Sequence, residues 1–353
     1  MLLAKLKTVV GVVILTGILI GGAGAVTLPT MRIGLSEVRR QAASRLVTKQ
    51  AEKLQPAIVW KEKHAILNQA GDQVFSACIS PDGKVVAYGG SGEIKLLDVS
   101  TGKEMARVDR DLAFTTAISP DGKVLATGHI KAIKLWDATT GQALATLDDN
   151  TKNILQVAFS PDGKLLATAE VGALRLWDLA MKKELRRLVS DKPEERILHG
   201  VAFSPDGKTL ASAEGRAKTV KLWEVATGKE LKTFEEHTGW TLGVAFSPDG
   251  KTLAVSDGNG QVKLWDVNTR KEKTSLKWQT YGRRPLAFSP DGKLLATTGG
   301  DSHNIMLWDV KTGKDLVALE HKDRVWSVDF SGDGKTIVTA GDDGVRIWAA
   351  ASK

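Results

Sequence analysis

Cysteine is nearly absent from this chain, because Cys78 is the only one in 353 residues. One cysteine cannot form a disulfide within the chain, so a disulfide framework is excluded and we expect Cys78 to be a small core residue. Catalytic motifs are missing as well: there is no nucleophile elbow, no glycine-rich phosphate loop and no zincin helix motif. We therefore predict no metal site, no cofactor and no small-molecule substrate.

Long hydrophobic runs are equally scarce, since residues 8–28 form the one long uncharged apolar stretch. As a helix rising 1.5 Å per residue, this run would span roughly 31 Å, about one hydrocarbon core. We expect residues 1–30 to form a hydrophobic helix, either a signal anchor or a signal peptide. The small-x-small triplet ending at Ala25 leaves cleavage there open, with a secreted or periplasmic product, but we favour the anchor.

Positive charge is concentrated ahead of the main domain. Residues 1–56 carry eight Lys or Arg and two Glu, which leaves residues 57–353 with 41 basic and 39 acidic side chains. Residues 31–56 have apolar side chains at roughly helical spacing, and we expect a basic juxtamembrane helix or linker that either attracts anionic headgroups or is a solvated spacer. The near-neutral domain argues against nucleic-acid binding. Flanking charge is ambiguous, yet large domains translocate regardless of it, so we expect an extracytoplasmic domain.

One five-residue motif recurs throughout that domain. Ser-Pro-Asp-Gly-Lys, with variation, begins at Ser80, Ser119, Ser160, Ser204, Ser247, Ser289 and Ser331, at intervals of 39, 41, 44, 43, 42 and 42 residues. This period indicates an array of repeats that are each too small to bury a core alone. Pro, Asp and Gly suit the successive positions of a tight turn, so each motif is predicted to join two strands of a hairpin.

Each unit also ends its third predicted strand with a large apolar residue, usually Trp before an acid. The tryptophans are Trp136, Trp177, Trp223, Trp265, Trp308 and Trp348, while Leu97 takes this place in the first unit. The pattern resembles the WD-repeat family over residues 57–353. That resemblance implies an all-β, seven-bladed β-propeller of four-stranded antiparallel blades around a channel, preceded here by the N-terminal hydrophobic helix.

The array has a seam, because only five residues follow Trp348 and these are too few for a fourth strand. Residues 61–67 stand as far ahead of Ser80 as fourth strands stand ahead of the other motifs. We therefore expect the first strand of the domain to complete the last blade and hide both open edges of the ring.

In this family a loop His, a second-strand hydroxyl, a turn Asp and the third-strand Trp form a buried hydrogen-bonded set. The resemblance places that set best in the last unit, at His321, Thr339, Asp342 and Trp348. The fifth unit has His237 and Trp265 but Asn259 at the Asp position, and the other units lack the His. We expect most blades to rely on packing instead. Metal ligation is not favoured, because neither His has a second ligand at a short fixed spacing.

Three further histidines, His129, His199 and His303, fall in loops, and Asp301 lies beside the last of them. A constellation drawn from three distant loops is weak evidence for catalysis, so we interpret these as polar loop residues. A propeller enzyme, a hydrolase or a ligand-binding enzyme acting at the channel mouth, is the alternative to an interaction module.

The partner site is predicted on the face opposite the repeated turns, where the loops vary. Aromatic and arginine side chains, the composition of interface hot spots, cluster there in the last three units. They are Trp240, Trp278, Tyr281, Arg283, Arg284, Arg324 and Trp326. Units two to four contribute mostly Asp and Glu, so we expect this face to be electrostatically lopsided.

Each turn serine is preceded, five residues earlier, by a residue at the start of the predicted innermost strand, and four or five of these seven residues are large and apolar. These residues are Phe75, Phe114, Leu155, His199, Leu242, Arg284 and Trp326. They either form a mouth for the partner, with Phe75 and Phe114 in the site, or plug the channel and pack between blades. We predict a non-catalytic scaffold or sensing module, membrane-tethered or exported, that binds a protein or peptide at this mouth.

Overall fold

The computed structural model describes residues 59–67, 73–148, 153–188, 197–235, 237–277, 286–298 and 303–351. Within these ranges the regular elements are all strands. No helix in the described part of the chain is long and apolar enough to cross a membrane. The hydrophobic run at residues 8–28 and the basic segment at residues 31–56 lie outside the described residues, so both stay predictions.

The described strands form seven four-stranded sheets, numbered here as blades in chain order. Blade 1 contains β2 (Val74–Ile79), β3 (Val85–Gly90), β4 (Ile94–Asp98) and β5 (Glu104–Asp109). Blade 2 contains β6 (Thr115–Ile118), β7 (Val124–Gly128), β8 (Ile133–Asp137) and β9 (Ala143–Asp148). Blade 3 contains β10 (Ile154–Phe159), β11 (Leu165–Glu170), β12 (Leu174–Asp178) and β13 (Lys183–Leu188). Blade 4 contains β14 (Leu198–Phe203), β15 (Thr209–Glu214), β16 (Thr219–Glu224) and β17 (Glu230–Phe234).

The remaining blades follow the same order until the last. Blade 5 contains β18 (Thr241–Phe246), β19 (Thr252–Asp257), β20 (Gln261–Asp266) and β21 (Glu272–Lys277). Blade 6 contains β22 (Leu286–Phe288), β23 (Leu294–Thr298), β24 (Asn304–Asp309) and β25 (Asp315–Glu320). Blade 7 contains β26 (Val325–Phe330), β27 (Thr336–Gly341), β28 (Gly344–Ala351) and β1 (Val59–Leu67). The predicted seven-bladed propeller is thereby confirmed.

The first strand of every blade is innermost, because β2, β6, β10, β14, β18, β22 and β26 contact one another in a closed ring. Side chains tie neighbouring inner strands together: Ser76 Oγ lies 3.0 Å from Thr116 Oγ1, and Ser327 Oγ donates to the Ala77 carbonyl at 3.0 Å. The ring encloses a central channel.

The repeated motif forms the turn between first and second strands, as its residues predict. In the first copy Ser80 Oγ donates to Asp82 Oδ1 at 2.7 Å, and Gly83 adopts the left-handed φ of 72° that a residue without Cβ reaches at no steric cost. The last copy keeps the same turn although Gly332 replaces Pro, since Ser331 Oγ donates to Asp333 Oδ1 at 2.7 Å. Hydrogen bonding from Ser80 lowers the pKa of Asp82.

The hydrophobic core lies between blades rather than within them. One cluster joins Ala167 and Leu174 of blade 3 to Leu210 and Trp223 of blade 4, and all four are buried. Each repeat thus completes its core only against its neighbour, which is why the ring must close.

Ring closure follows the predicted seam. β1 pairs antiparallel with β28, from Val59 opposite Ala351 to Leu67 opposite Gly344. The Trp60 ring meets Phe330 edge-on at 6.2 Å, and the Glu62 carboxylate pairs with Arg346. The prediction that the first strand completes the last blade is confirmed.

Candidate functional site: the channel mouth on the loop face

The two faces of the ring differ in their connections. We call the end that carries the Ser-Pro-Asp-Gly turns and the connections between third and fourth strands the turn face, and the opposite end the loop face. At the loop face, large side chains at the starts of the inner strands line the channel, and together they are called the channel mouth. Its described members are Phe75, Phe114, Leu155, His199, Leu242 and Trp326.

These six side chains are partly exposed rather than fully buried. Phe75 and Phe114 stack with ring centroids 6.0 Å apart and an interplanar angle of 29°. The Trp326 indole N–H donates to Asp342 Oδ1 at 2.5 Å, which fixes the orientation of the ring at the mouth. Arg284, the seventh predicted member, lies outside the described residues.

The positions two residues before the turn serines lie further along the inner strands, towards the turn face. Two residues before each turn serine, the strands carry Cys or Ala in six units and Asp329 in the seventh. The cavity has a volume of about 280 Å³. Small-molecule sites usually occupy roughly 300–1,000 Å³, so this cavity lies near the lower end of that range and has room for a few inserted side chains.

Asp329 is the acid of the described channel lining. Its Oδ2 accepts the Ile79 N–H at 3.1 Å, and its Oδ1 accepts the Phe330 N–H at 2.9 Å. Burial raises the pKa of Asp329 to about 6, and the two backbone donors offset only part of that effect. A comparison of the aligned repeats could have identified this position, since the other six carry a small side chain.

Replacing Asp329 with Asn should stabilise the domain more at neutral pH than at acidic pH, relative to wild type. A carboxyl whose pKa is raised in the fold contributes its stability below its unfolded pKa of 3.8 and loses it as the pH rises through about 6. Asn keeps one acceptor oxygen for the two backbone donors, so the pH-independent difference between the two proteins is set near pH 4. Between pH 4 and pH 7.5 the stability of Asp329→Asn should rise by roughly 2–3 kcal/mol relative to wild type, at about 1.4 kcal/mol per pKa unit.

Urea unfolding of both proteins across this pH range measures that difference. Asp82→Asn is a control of opposite sign, because hydrogen bonding from Ser80 lowers the pKa of Asp82 and its stabilising effect is lost at low pH. A stability difference between Asp329→Asn and wild type that does not change with pH would contradict the assignment.

Cys78 lies on the inner strand of blade 1, where it belongs to a buried apolar cluster and is 6% exposed. Burial raises the pKa of its thiol to about 12, so the thiol stays protonated and unreactive at neutral pH. The predicted role as a small core residue is confirmed.

The predicted hydrogen-bonded set in blade 7 is present, but with a different acid. His321 Nδ1 lies 2.6 Å from Asp343 Oδ1, His321 Nε2 lies 2.7 Å from Thr339 Oγ1, and the Trp348 indole N–H donates to Thr339 Oγ1 at 2.9 Å. Asp343 therefore replaces the predicted Asp342, whose carboxylate instead holds Trp326. The turn after β27 directs these two adjacent acids to different partners.

Electrostatics in this set favour one proton arrangement. A carboxylate only accepts, so His321 donates from Nδ1 to Asp343, and its Nε2 accepts the Thr339 hydroxyl proton. Burial lowers the pKa of His321 and keeps the ring neutral. Burial also disfavours the Asp343 anion, but hydrogen bonds from His321, the Lys322 N–H and Arg346 outweigh it and lower the pKa of Asp343 to about 2.

The expectation that most blades rely on packing alone is wrong. The indole N–H of Trp136, Trp177, Trp223 and Trp308 donates to a second-strand hydroxyl at 2.9–3.1 Å, as Trp348 does. His129 is 2% exposed rather than a polar loop residue, because its Nε2 lies 2.8 Å from the Thr127 hydroxyl. In blade 3, Glu170 takes the place of the His and accepts the Thr168 hydroxyl at 2.8 Å. The signal that the sequence analysis missed is position rather than residue type. His129 and Glu170 each stand two residues after the second-strand threonine that they contact.

Blade 5 is the exception among the described blades with a Trp. Neither ring nitrogen of His237 has a hydrogen-bond partner among the described residues, and the ring instead meets Trp265 edge-on at 5.5 Å. Burial and the nearby Lys263 lower the pKa of His237 to about 4, so this histidine is neutral near pH 7. The Asp257 carboxylate binds the Asn259 N–H at 2.9 Å in the same blade.

The other predicted contact residues are placed only in part. Trp240 is 45% exposed on the loop face, and Arg324 is exposed near Trp326 in sequence. Trp278, Tyr281, Arg283 and Arg284 lie outside the described residues. Of the predicted acidic half, Asp109 and Asp111 pair with Lys134 at 2.7 and 3.2 Å, which reduces the negative charge they present. The lopsided potential stays a prediction.

Comparisons with known proteins agree with this geometry. A family model described as IFT122 first beta-propeller matches residues 73–281, more than half of the chain. A model described as WD domain, G-beta repeat matches residues 286–309 and 313–349. The Coronin-like protein of Saccharomyces cerevisiae is 45% identical over 47 residues, which are 13% of this chain and 7% of that relative. The matched region thus spans a small fraction of the curated relative.

Proposed function

This chain belongs to the IFT122 first beta-propeller family of WD-repeat propellers, and on that premise we propose that it is a non-catalytic protein-interaction scaffold. Such propellers typically act as scaffolds for protein partners. In this proposal the partner is a protein or peptide that binds at the channel mouth.

One observation carries the proposal: six large side chains stay partly exposed around the loop-face end of the channel. Large apolar groups gathered at a solvent-facing opening favour association with another surface. Trp326 is the strongest candidate anchor, because Asp342 orients its indole before any partner arrives. An oriented aromatic loses little conformational entropy on binding.

Replacing Trp326 with Ala should weaken partner binding about thirtyfold, since a buried aromatic anchor is worth roughly 2 kcal/mol or more on truncation. The full-length chain, affinity-tagged in its native host, would be captured with bound proteins and the partner quantified by mass spectrometry. Lys164→Ala and Lys251→Ala on the turn face serve as controls and should leave capture unchanged.

Thermal unfolding of each variant separates binding from folding. If the partner is still captured by Trp326→Ala, or is lost with the turn-face variants, the assignment of the partner site to the loop face is wrong. A large drop in melting temperature with Trp326→Ala would show that this residue serves the core instead.

The proposal includes a membrane tether, motivated by the uncharged run at residues 8–28. The propeller would then be held at a membrane, on its extracytoplasmic side, unless the segment is cleaved. Full-length protein should resist alkaline carbonate extraction from membranes. A soluble product that begins at Val26 would replace the anchor with a cleaved signal, and protease protection in intact against permeabilised cells would report the side.

A further inference from the structure

A groove on the loop face between blades 4 and 5 extends outward from the channel mouth. Its lining includes Trp240, Thr238, Asn259 and Lys218, and also His199 and Leu242, which both line the channel as well. We call it the Trp240 groove. Because two residues line both spaces, the groove and the mouth form one continuous surface.

The blade 4 side of the groove is basic. A tight turn follows β15, and the Lys218 N–H closes it by donating to the Gly215 carbonyl at 3.0 Å. This turn presents Arg216 and Lys218 to solvent. A Cβ on Gly215 would lie 2.6 Å from the His199 ring, so glycine is what lets this turn lie against the mouth. The Arg216 guanidinium stands 5.7 Å from the Trp240 ring centroid, a cation–π distance.

The acids at the adjoining strand ends do not face the groove. Asp257 is fully buried, and it accepts the Thr238 hydroxyl at 3.0 Å and the N–H groups of Gly239 and Asn259 at 3.2 and 2.9 Å. Glu214 is 2% exposed. Among the described residues, the charged side chain of the groove lining is that of Lys218, and Arg216 stands beside Trp240 at its edge.

We propose that the Trp240 groove binds an acidic peptide segment of the partner. An apolar side chain of that segment packs on Trp240 and Leu242, and flanking carboxylates pair with Arg216 and Lys218. This inference rests on the proposed function and adds the chemistry of the partner. Apolar contact with an exposed indole mainly slows dissociation, while rim cations mainly raise the association rate and make it salt-dependent.

The test is selection of a phage-displayed library of random twelve-residue peptides on the full-length chain in detergent. We expect the enriched peptides to carry Asp or Glu next to Leu, Phe or Trp. Their affinities, measured by fluorescence anisotropy, should fall at least tenfold with Arg216→Glu plus Lys218→Glu and at least tenfold with Trp240→Ala. Raising the salt concentration should weaken binding to wild type but not to the charge-reversed variant.

Lys164→Glu plus Lys251→Glu on the turn face makes the same change in net charge and should leave these affinities unaltered. Enriched peptides without acidic residues, unchanged binding to the Arg216→Glu plus Lys218→Glu variant, or no enrichment at all would each overturn the inference. The proposed function is judged separately, because partner capture that depends on Trp326 would stand even if the peptides ignored the groove. If neither the peptide binding depends on the groove nor the partner capture depends on Trp326, the inference and the proposed function are both rejected.

Discussion

Deleting residues 59–67, the strand β1, from the full-length chain should unfold the domain or make it self-associate. The deletion removes the partner of β28 along its length and opens the ring, which leaves an unpaired strand edge. It also removes Trp60, a buried side chain whose loss alone typically costs about 3–5 kcal/mol, a large part of the roughly 5–15 kcal/mol that stabilises a domain.

Size-exclusion chromatography with light scattering and thermal unfolding would measure this outcome. A deletion of equal length within residues 31–56 is the matched control and should leave both readings unchanged. A synthetic peptide of residues 57–70, added in trans, should restore part of the melting temperature by refilling the edge of β28. A monomeric β1-deleted protein with an unaltered melting temperature would mean that closure does not stabilise the ring.

Thr339→Val should destabilise the domain by about 2–6 kcal/mol. The hydroxyl of Thr339 accepts the Trp348 N–H and donates to His321 Nε2. The isosteric valine therefore leaves two buried polar atoms without these partners. Each such atom costs roughly 1–3 kcal/mol. Valine has the shape of threonine, so the substitution removes the hydroxyl without changing the shape of the core. Urea unfolding at pH 7.5, where His321 is neutral, measures the effect.

Thr298→Val is the matched control, because it makes the same substitution at a buried threonine. The Thr298 hydroxyl has no hydrogen-bond partner among the described residues and Thr298 is 1% exposed. Valine there should be neutral or stabilising. Equal losses at both positions would show that the hydrogen bonds in blade 7 contribute nothing beyond packing.

The architecture was predictable because its signals are local and repeated. Each Ser-Pro-Asp-Gly copy encodes one turn within five residues, and Gly83 shows the left-handed φ that the motif requires. Seven copies at a nearly constant interval then define the number of blades. The seam was predictable by counting, since residues 61–67 stand as far ahead of Ser80 as fourth strands stand ahead of the other motifs.

The choice between adjacent residues was not predictable. Asp342 and Asp343 are equivalent in charge and differ by one position, but the turn after β27 sends one to Trp326 and the other to His321. The same limitation explains the interpretation of His129 as a loop residue, because its burial depends on how the turn after β7 folds back onto Thr127.

The sequence by itself determined the strands, the turns, the number of blades and the residues that begin each inner strand. Only the tertiary structure brought Arg216 over Trp240 and turned Asp329 towards the channel. Hairpin geometry depends on residues a few positions apart, and so it can be read from a short motif. Contacts between blades depend on the twist and radial spacing of whole sheets, which no local pattern encodes.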